Sequence, residues 1–345
     1  MTFPTLPDLG WSAHFLGQLS IEELETLTPL RLAEVHRDRA TGLGPGGTVA
    51  LTYPPDIGAG DTAVGDWVLA DPGTCRIRRV LDRRSEIARR AAGREGRRQL
   101  IAANIDTLFV VTSCNADFSV PRLERYLALA FETGMSAVVV LTKADGAGDP
   151  DAYVARARAV SPRIADVVAL DARDAADLDR LKPCLGRGQT VAFVGASGVG
   201  KSTLIAGLTG RGIATSGIRE DDAKGRHTTT ARTIYHLAEG ALVIDTPGMR
   251  ELGLQEAADG IDAVFEDIAA LAATCRFSDC AHETEPGCAI RAAVEDGRIG
   301  ADRLDRWRKL RREDARACEA LHERHRRERA FGRMVKDVVD LKRRT

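Results

Sequence analysis

Eight consecutive residues, Gly195-Ala196-Ser197-Gly198-Val199-Gly200-Lys201-Ser202, fit the phosphate-binding pattern G-x-x-x-x-G-K-S/T. Glycines let backbone N–H groups converge on phosphate oxygens where a side chain would block the approach. Lys201 adds a point charge for the β- and γ-phosphates, and the Ser202 hydroxyl suits Mg²⁺. A second group, Thr142-Lys143-Ala144-Asp145, closes the apolar run Val138 to Leu141. A carboxylate at Asp145 accepts both N–H groups of a guanine edge, whereas adenine offers an acceptor there. The Lys143 stem can lie along the base, and Thr142 can tie neighbouring loops together. A third group, Asp245-Thr246-Pro247-Gly248, closes the apolar run Ala241 to Ile244. Asp245 suits the magnesium side of the site through water, and the Gly248 N–H suits the γ-phosphate.

These groups need strands that end where they begin. Gln189 to Val194 reads as a buried strand leading into the phosphate loop, and Thr203 to Leu208 as the start of a helix whose N-terminus favours anions. Further strands are predicted over 105–112, 137–141, 167–170, 233–237 and 242–244, with helical stretches between them, which suits a parallel α/β sheet. The motifs run base reader, phosphate loop, magnesium side. A conventional GTPase runs phosphate loop, magnesium side, base reader. The expected fold is therefore a circularly permuted P-loop GTPase domain.

Many GTPases carry a glutamine after the glycine of the magnesium-side motif to orient water; here that place holds Met249. His227, between the phosphate loop and the next strand, is the candidate for positioning water, since a neutral imidazole accepts a proton. Thr228 or Thr229 is the candidate for Mg²⁺ in the same stretch. A separate constellation, Cys275, Cys280, His282 and Cys288, has the spacing C-x₄-C-x-H-x₅-C with Pro286-Gly287 as the turn back. Three thiolates and an imidazole suit one closed, structural Zn²⁺. Beyond it Leu304, Trp307, Leu310, Cys318 and Leu321 fall at helical spacing.

The 345-residue chain has a net charge of −1, but the charge is divided. From Arg76 to Arg98 there are ten arginines against three acids, and from Asp302 to Thr345 sixteen Lys or Arg against nine acids. Two basic flanks suggest a polyanion as partner. Aromatic residues make up only 5% of the chain, which favours contacts to the phosphates and shape of folded RNA over base stacking on single strands. Arg83-Arg84 and Arg97-Arg98 are the preferred RNA contacts. No signal peptide and no membrane-length apolar run is evident, and seven cysteines point to thiols or metal. A cytoplasmic protein with no membrane partner is expected. Nothing demands a dimer, so the expected state is a monomer. Before Asn104 the chain reads as a capping-box helix at Ser20–Glu23 and short strands over 32–36, 48–53 and 66–70, consistent with a small barrel.

With Gln99-Leu100-Ile101-Ala102-Ala103-Asn104-Ile105-Asp106, the phosphate loop, Gly225-Arg226-His227-Thr228-Thr229-Thr230, the Asp245 motif and the cysteine cluster, nearly the whole chain resembles the ribosome small-subunit-dependent GTPases. It departs from them with Thr142 where Asn is usual, and with Asp171-Ala172 where a Ser-Ala pair is expected. The resemblance implies an N-terminal OB-fold with an RNA role over 1–103, a permuted GTPase domain over 104–255 and a mostly helical zinc-binding domain over 256–345. It also implies hydrolysis of GTP to GDP and phosphate, stimulated by the small ribosomal subunit during its late maturation, with rRNA as partner. Two rival readings are a nucleotide-gated RNA-binding module with negligible turnover, which Met249 favours, and a P-loop kinase for a small molecule, which has no use for Asp145.

Overall fold

A computed structural model describes residues 4–90, 98–210, 233–237, 239–245 and 257–319. The chain divides into two units, Met1–Gly253 and Leu254–Thr345.

The first unit begins with the predicted capping box. Ser20 N–H donates to the Glu23 carboxylate at 2.9 Å and Glu23 N–H to the Ser20 hydroxyl at 3.2 Å, opening the helix Ile21–Thr26. An antiparallel sheet follows: β1 (Thr28–Val35), β2 (Arg39–Gly44), β3 (Gly47–Thr52), β4 (Trp67–Ala70) and β5 (Ile77–Val80), in the order β3-β2-β1-β4-β5. A bridge between Thr52 and Arg76 brings the two sheet edges together, so the strands wrap around Leu30, Leu32, Leu51, Val68 and Ile77 as a small barrel. Strands β2 and β5 were not legible in the sequence. Arg39–Gly44 carries two glycines and Ile77–Val80 two arginines, and only cross-strand partners offset such weak intrinsic preference.

A hairpin of β6 (Glu86–Arg90) and β7 (Arg98–Ala103) leads to a six-stranded sheet. Its strands are β8 (Thr107–Ser113), β9 (Ser136–Thr142), β10 (Asp166–Ala169), β11 (Thr190–Val194), β12 (Thr233–His236) and β13 (Leu242–Asp245), in the order β10-β9-β8-β11-β13-β12. Strands β8 and β11 are buried along their whole lengths, as their unbroken apolar runs require when both sheet faces are covered. Phe109 of β8 meets Phe193 of β11 edge to face, ring centroids 5.0 Å apart. One expectation is corrected: β12 runs antiparallel to β13. The turn between them is a tight one, Leu237 N–H donating to Ala241 O at 2.8 Å, and so short a connection cannot cross over to a parallel neighbour.

Barrel and sheet meet at a buried guanidinium. Arg31, 1% exposed, donates from Nη1 to Leu9 O at 2.6 Å, from Nη2 to Asn104 O at 2.9 Å and from Nε to Gly65 O at 3.3 Å. Burial pushes its pKa down to about 10. Asn104 adopts a left-handed φ of 56° and donates its side-chain amide to Gly65 O at 2.9 Å. Asp106 accepts from Thr190 N–H at 2.7 Å, fixing the start of β11. The Asn104-Ile105-Asp106 stretch is thus a joint that the sheet is built on.

Where described, the second unit is helical: Ala258–Val264, Glu266–Ala272, Ala289–Glu295 and a helix over 301–319. Leu304, Trp307 and Leu310 are buried as their spacing predicts, Cys318 is half-buried, and Leu321 lies outside the described residues. No helix among the described residues is long and apolar enough to cross a membrane.

Replacing Arg31 by Ala strands the carbonyls of Leu9 and Asn104 at the joint and leaves Gly65 O with only the Asn104 amide. The expected loss is about 3 kcal/mol of unfolding free energy, measured by urea denaturation of the full chain.

Candidate functional site

The phosphate loop leaves β11 at Gly195, whose φ is 149°. A Cβ there would stand 2.2 Å from Val111 O of β8, so only glycine fits. The loop ends at the helix Lys201–Thr209. Lys201 Nζ is folded back onto Gly195 O at 2.8 Å, and the buried Val199 anchors the loop in the apolar core. These contacts preshape Gly195–Ser202 as a backbone cradle at a helix N-terminus, with Thr203 in the first turn.

Thr142, the last residue of β9, is 1% exposed. Its hydroxyl lies 2.5 Å from Val199 O and 3.1 Å from Thr112 O. One hydroxyl proton serves one acceptor at a time, and the shorter contact is to the phosphate loop. The tie expected of this position is therefore made by threonine. Lys143 takes a left-handed φ of 58° and the chain turns outward through Ala144 to Asp145. Thr142, Lys143 and Asp145 line a cavity of about 340 Å³ with Asp171, Ala172, Gly200 and Thr203. Asp145 and Gly200 of the phosphate loop thus face the same hollow. Arg173 lines it too, its Nη2 2.6 Å from Asp145 Oδ2. Sequence reading passed over Arg173; its place two residues beyond Asp171 was the available signal.

Asp245 ends β13 beside β11, with Ala192 opposite Ile244. Burial lifts its carboxyl above the usual carboxylate range, a tendency that a nearby cation reverses. His227, Thr228, Thr229, Gly248 and Met249 lie outside the described residues.

In the second unit the ligand atoms of Cys275, Cys280, His282 and Cys288 all lie within 4.8 Å of one another. His282 Nδ1 is 3.5 Å from Cys275 Sγ and 3.6 Å from Cys288 Sγ, and those two sulfurs are 4.0 Å apart. Tetrahedral metal–thiolate bonds of about 2.3 Å put sulfurs about 3.8 Å apart, so the cluster can hold a metal ion. Glu285 fixes the turn between ligands, accepting N–H groups of Ala281 at 2.9 Å, Glu283 at 2.8 Å and Thr284 at 3.0 Å. Its own backbone N–H and these hold its pKa down to about 2. Arg308 caps the His282 carbonyl, and burial pushes the imidazole below its usual pKa, towards the neutral form that ligates metal.

Among the described residues, four arginines of the basic run from Arg76 pair within the first unit. Arg83 forks onto the fully buried Asp66 at 2.6 and 2.8 Å, Arg79 pairs with Glu23 at 2.7 Å, Arg84 with Asp106 at 2.5 Å and Arg78 with Asp71 at 3.1 Å. Arg83 and Arg84 thus brace the barrel and its joint, a role that the sequence did not reveal. Arg97 and the Arg98 side chain lie outside the described residues.

A family model described as "RsgA GTPase" matches residues 80–255. The "Small ribosomal subunit biogenesis GTPase RsgA" of Mesorhizobium japonicum is 50% identical over 311 residues, 89% of each chain. The "Small ribosomal subunit biogenesis GTPase RsgA 2" of Vibrio vulnificus is 43% identical over 335 residues, 97% of this chain and 95% of its own. Among solved structures, YjeQ from Thermotoga maritima superposes with a TM-score of 0.62 at 23% identity, covering 82% of this chain and 97% of its own. YloQ, described as a circularly permuted GTPase, gives 0.58 at 23% identity, covering 82% and 93%. At that identity the two structures speak for the fold, which they share with this chain.

Thr142→Val keeps the shape of the side chain and removes the donor to Val199 O. It is expected to cost about 1–2 kcal/mol of stability, read from the denaturant midpoint, and to weaken GDP binding through a looser phosphate loop.

Proposed function

The chain belongs to the RsgA GTPase family, and from that premise we propose a complete reading of its pocket and partners. It is a GTPase of small ribosomal subunit biogenesis, hydrolysing GTP to GDP and phosphate. The observation that carries the nucleotide reading is the shared hollow. Asp145, just beyond β9, lines one cavity with Gly200 of the phosphate loop and Thr203 of the helix after it, and Thr142 ties strand to loop.

In this reading Asp145 takes the guanine edge, with Lys143 and Ala144 beside the base. Gly195, Ala196, Ser197, Gly198, Val199 and Gly200 surround the phosphates, Lys201 neutralises them, and Thr203 meets them from the helix. Ser202 and Asp245, with Thr228 or Thr229, would hold the Mg²⁺ that neutralises phosphate charge, and the Gly248 N–H would read the γ-phosphate. His227 would position the attacking water. Cys275, Cys280, His282 and Cys288 would hold Zn²⁺ in a structural role, as three thiolates and one imidazole suit. Residues 1–103 act as the RNA-binding barrel, 104–255 as the GTPase and 256–345 as the zinc-binding and helical region. Lys309, Arg312 and Arg316, exposed along one face of the helix over 301–319, suit rRNA phosphates. The protein works as a cytoplasmic monomer, docks on the subunit with GTP bound and leaves after hydrolysis.

Single-turnover GTP hydrolysis, measured with and without purified small subunits, tests the reading. The subunit is expected to raise the rate at least tenfold (about 1.4 kcal/mol off the barrier), and His227→Ala to keep GTP affinity but lose that increase. An unchanged rate on adding subunits counts against stimulation, and an undiminished rate in the variant removes His227 from the role.

Metal analysis of the purified chain is expected to return about one zinc per molecule. Cys280→Ser should lose most of it and lower the unfolding temperature. Full zinc retention in that variant would dismiss Cys280 as a ligand.

A further inference from the structure

In the base pocket one guanidinium serves two carboxylates. Arg173 forks onto Asp171, Nε to Oδ1 at 3.0 Å and Nη2 to Oδ2 at 3.1 Å, and the same Nη2 donates to Asp145 Oδ2 at 2.6 Å. All three residues line the cavity of about 340 Å³. Asp171 is itself anchored, its backbone N–H donating to the Asp177 carboxylate at 2.7 Å. The guanidinium holds the Asp171 carboxyl below the usual range, so Asp171 stays ionised.

This arrangement answers a problem posed by the sequence. A Ser-Ala pair in this loop would set a neutral hydroxyl beside the reader, whereas Asp171 sets a second negative charge there. Two like charges sharing a pocket disfavour one another's ionised form. Guanine recognition also needs the Asp145 carboxylate in one plane, because two N–H groups must meet two oxygens. The terminal torsion of aspartate is broad, so nothing intrinsic to the side chain selects that plane. A donor anchored elsewhere and bonded to one oxygen narrows it. Asp145 Oδ2 keeps a second lone pair for the base, and Oδ1 keeps both.

We infer that Arg173 is a positioning residue for guanine selection. By bridging Asp171 and Asp145 it cancels the repulsion between two carboxylates and holds the reader's carboxylate towards the purine edge. The inference rests on Asp145 being the base reader. The bridge is exposed, with side chains 69% accessible at Arg173 and 43% at Asp145, so its effect is modest.

The test is titration of the full chain with GDP, ADP and inosine diphosphate, which lacks the 2-amino group. Arg173→Ala is expected to lose about fivefold in GDP affinity, the scale of an exposed ion pair. Inosine diphosphate should be little affected, so that the preference for guanine over hypoxanthine shrinks. In the double variant Asp171→Ser/Arg173→Ala, removal of the second negative charge should restore most of the lost affinity. The inference is overturned if Arg173→Ala binds GDP as tightly as or more tightly than the parent. Equal losses for GDP and inosine diphosphate overturn it too, since they indicate general damage to the pocket, as does a double variant no better than the single one. A parent chain that does not prefer GDP to ADP would defeat the Asp145 reading itself, and this inference with it.

Discussion

Pairing of β8 with β9 on one side and β11 on the other is the constraint on which the rest depends. All three strands are parallel, so their carboxyl ends emerge on the same edge of the sheet. Neighbouring strands are about 4.8 Å apart, which sets the end of β9 and the glycine-rich loop after β11 about 10 Å from each other. That is the scale on which a purine and its phosphates are separated. Order along the chain is irrelevant to this geometry, so β9 can precede β11. Permutation has a covalent consequence as well: the segment after Asp245 runs in sequence into the Cys₃His unit.

The close approach of β8 and β11 also explains local choices. Gly195 is demanded by the carbonyl of Val111 on the neighbouring strand, before any phosphate is considered. Thr142 and Val199 are far apart in sequence yet share a hydrogen bond, which couples the two halves of the pocket. A short buried hydroxyl does this without the four hydrogen-bonding sites of an asparagine amide, some of which would have to be satisfied elsewhere.

Polar groups in the first unit divide between holding the fold and facing the pocket. Arg31, Arg83, Arg84 and Asn104 donate to carbonyls and carboxylates where barrel and sheet join, and Asp106 accepts from Arg84 and from Thr190 N–H. Buried polar groups without partners are costly, and this one joint satisfies many at once. Arg79, Arg83 and Arg84 act as scaffold, since their acids come from distant positions: Glu23, Asp66 and Asp106.

Strand positions in the six-stranded sheet, the glycine-rich loop after β11 and the Cys₃His cluster were legible in the amino-acid sequence alone, because each depends on local pattern: unbroken apolar runs, glycine spacing, and cysteines set at ligand intervals. The permuted order was legible for the same reason, being a statement about order. Strands β2 and β5, the antiparallel course of β12, the pairing of Arg83 with Asp66 and the bridge of Arg173 between Asp171 and Asp145 were decided by the tertiary structure. Each depends on which distant residue becomes a neighbour. A charge has no fixed role until the fold supplies its partner, and an arginine can face solvent, brace a barrel or bridge two carboxylates.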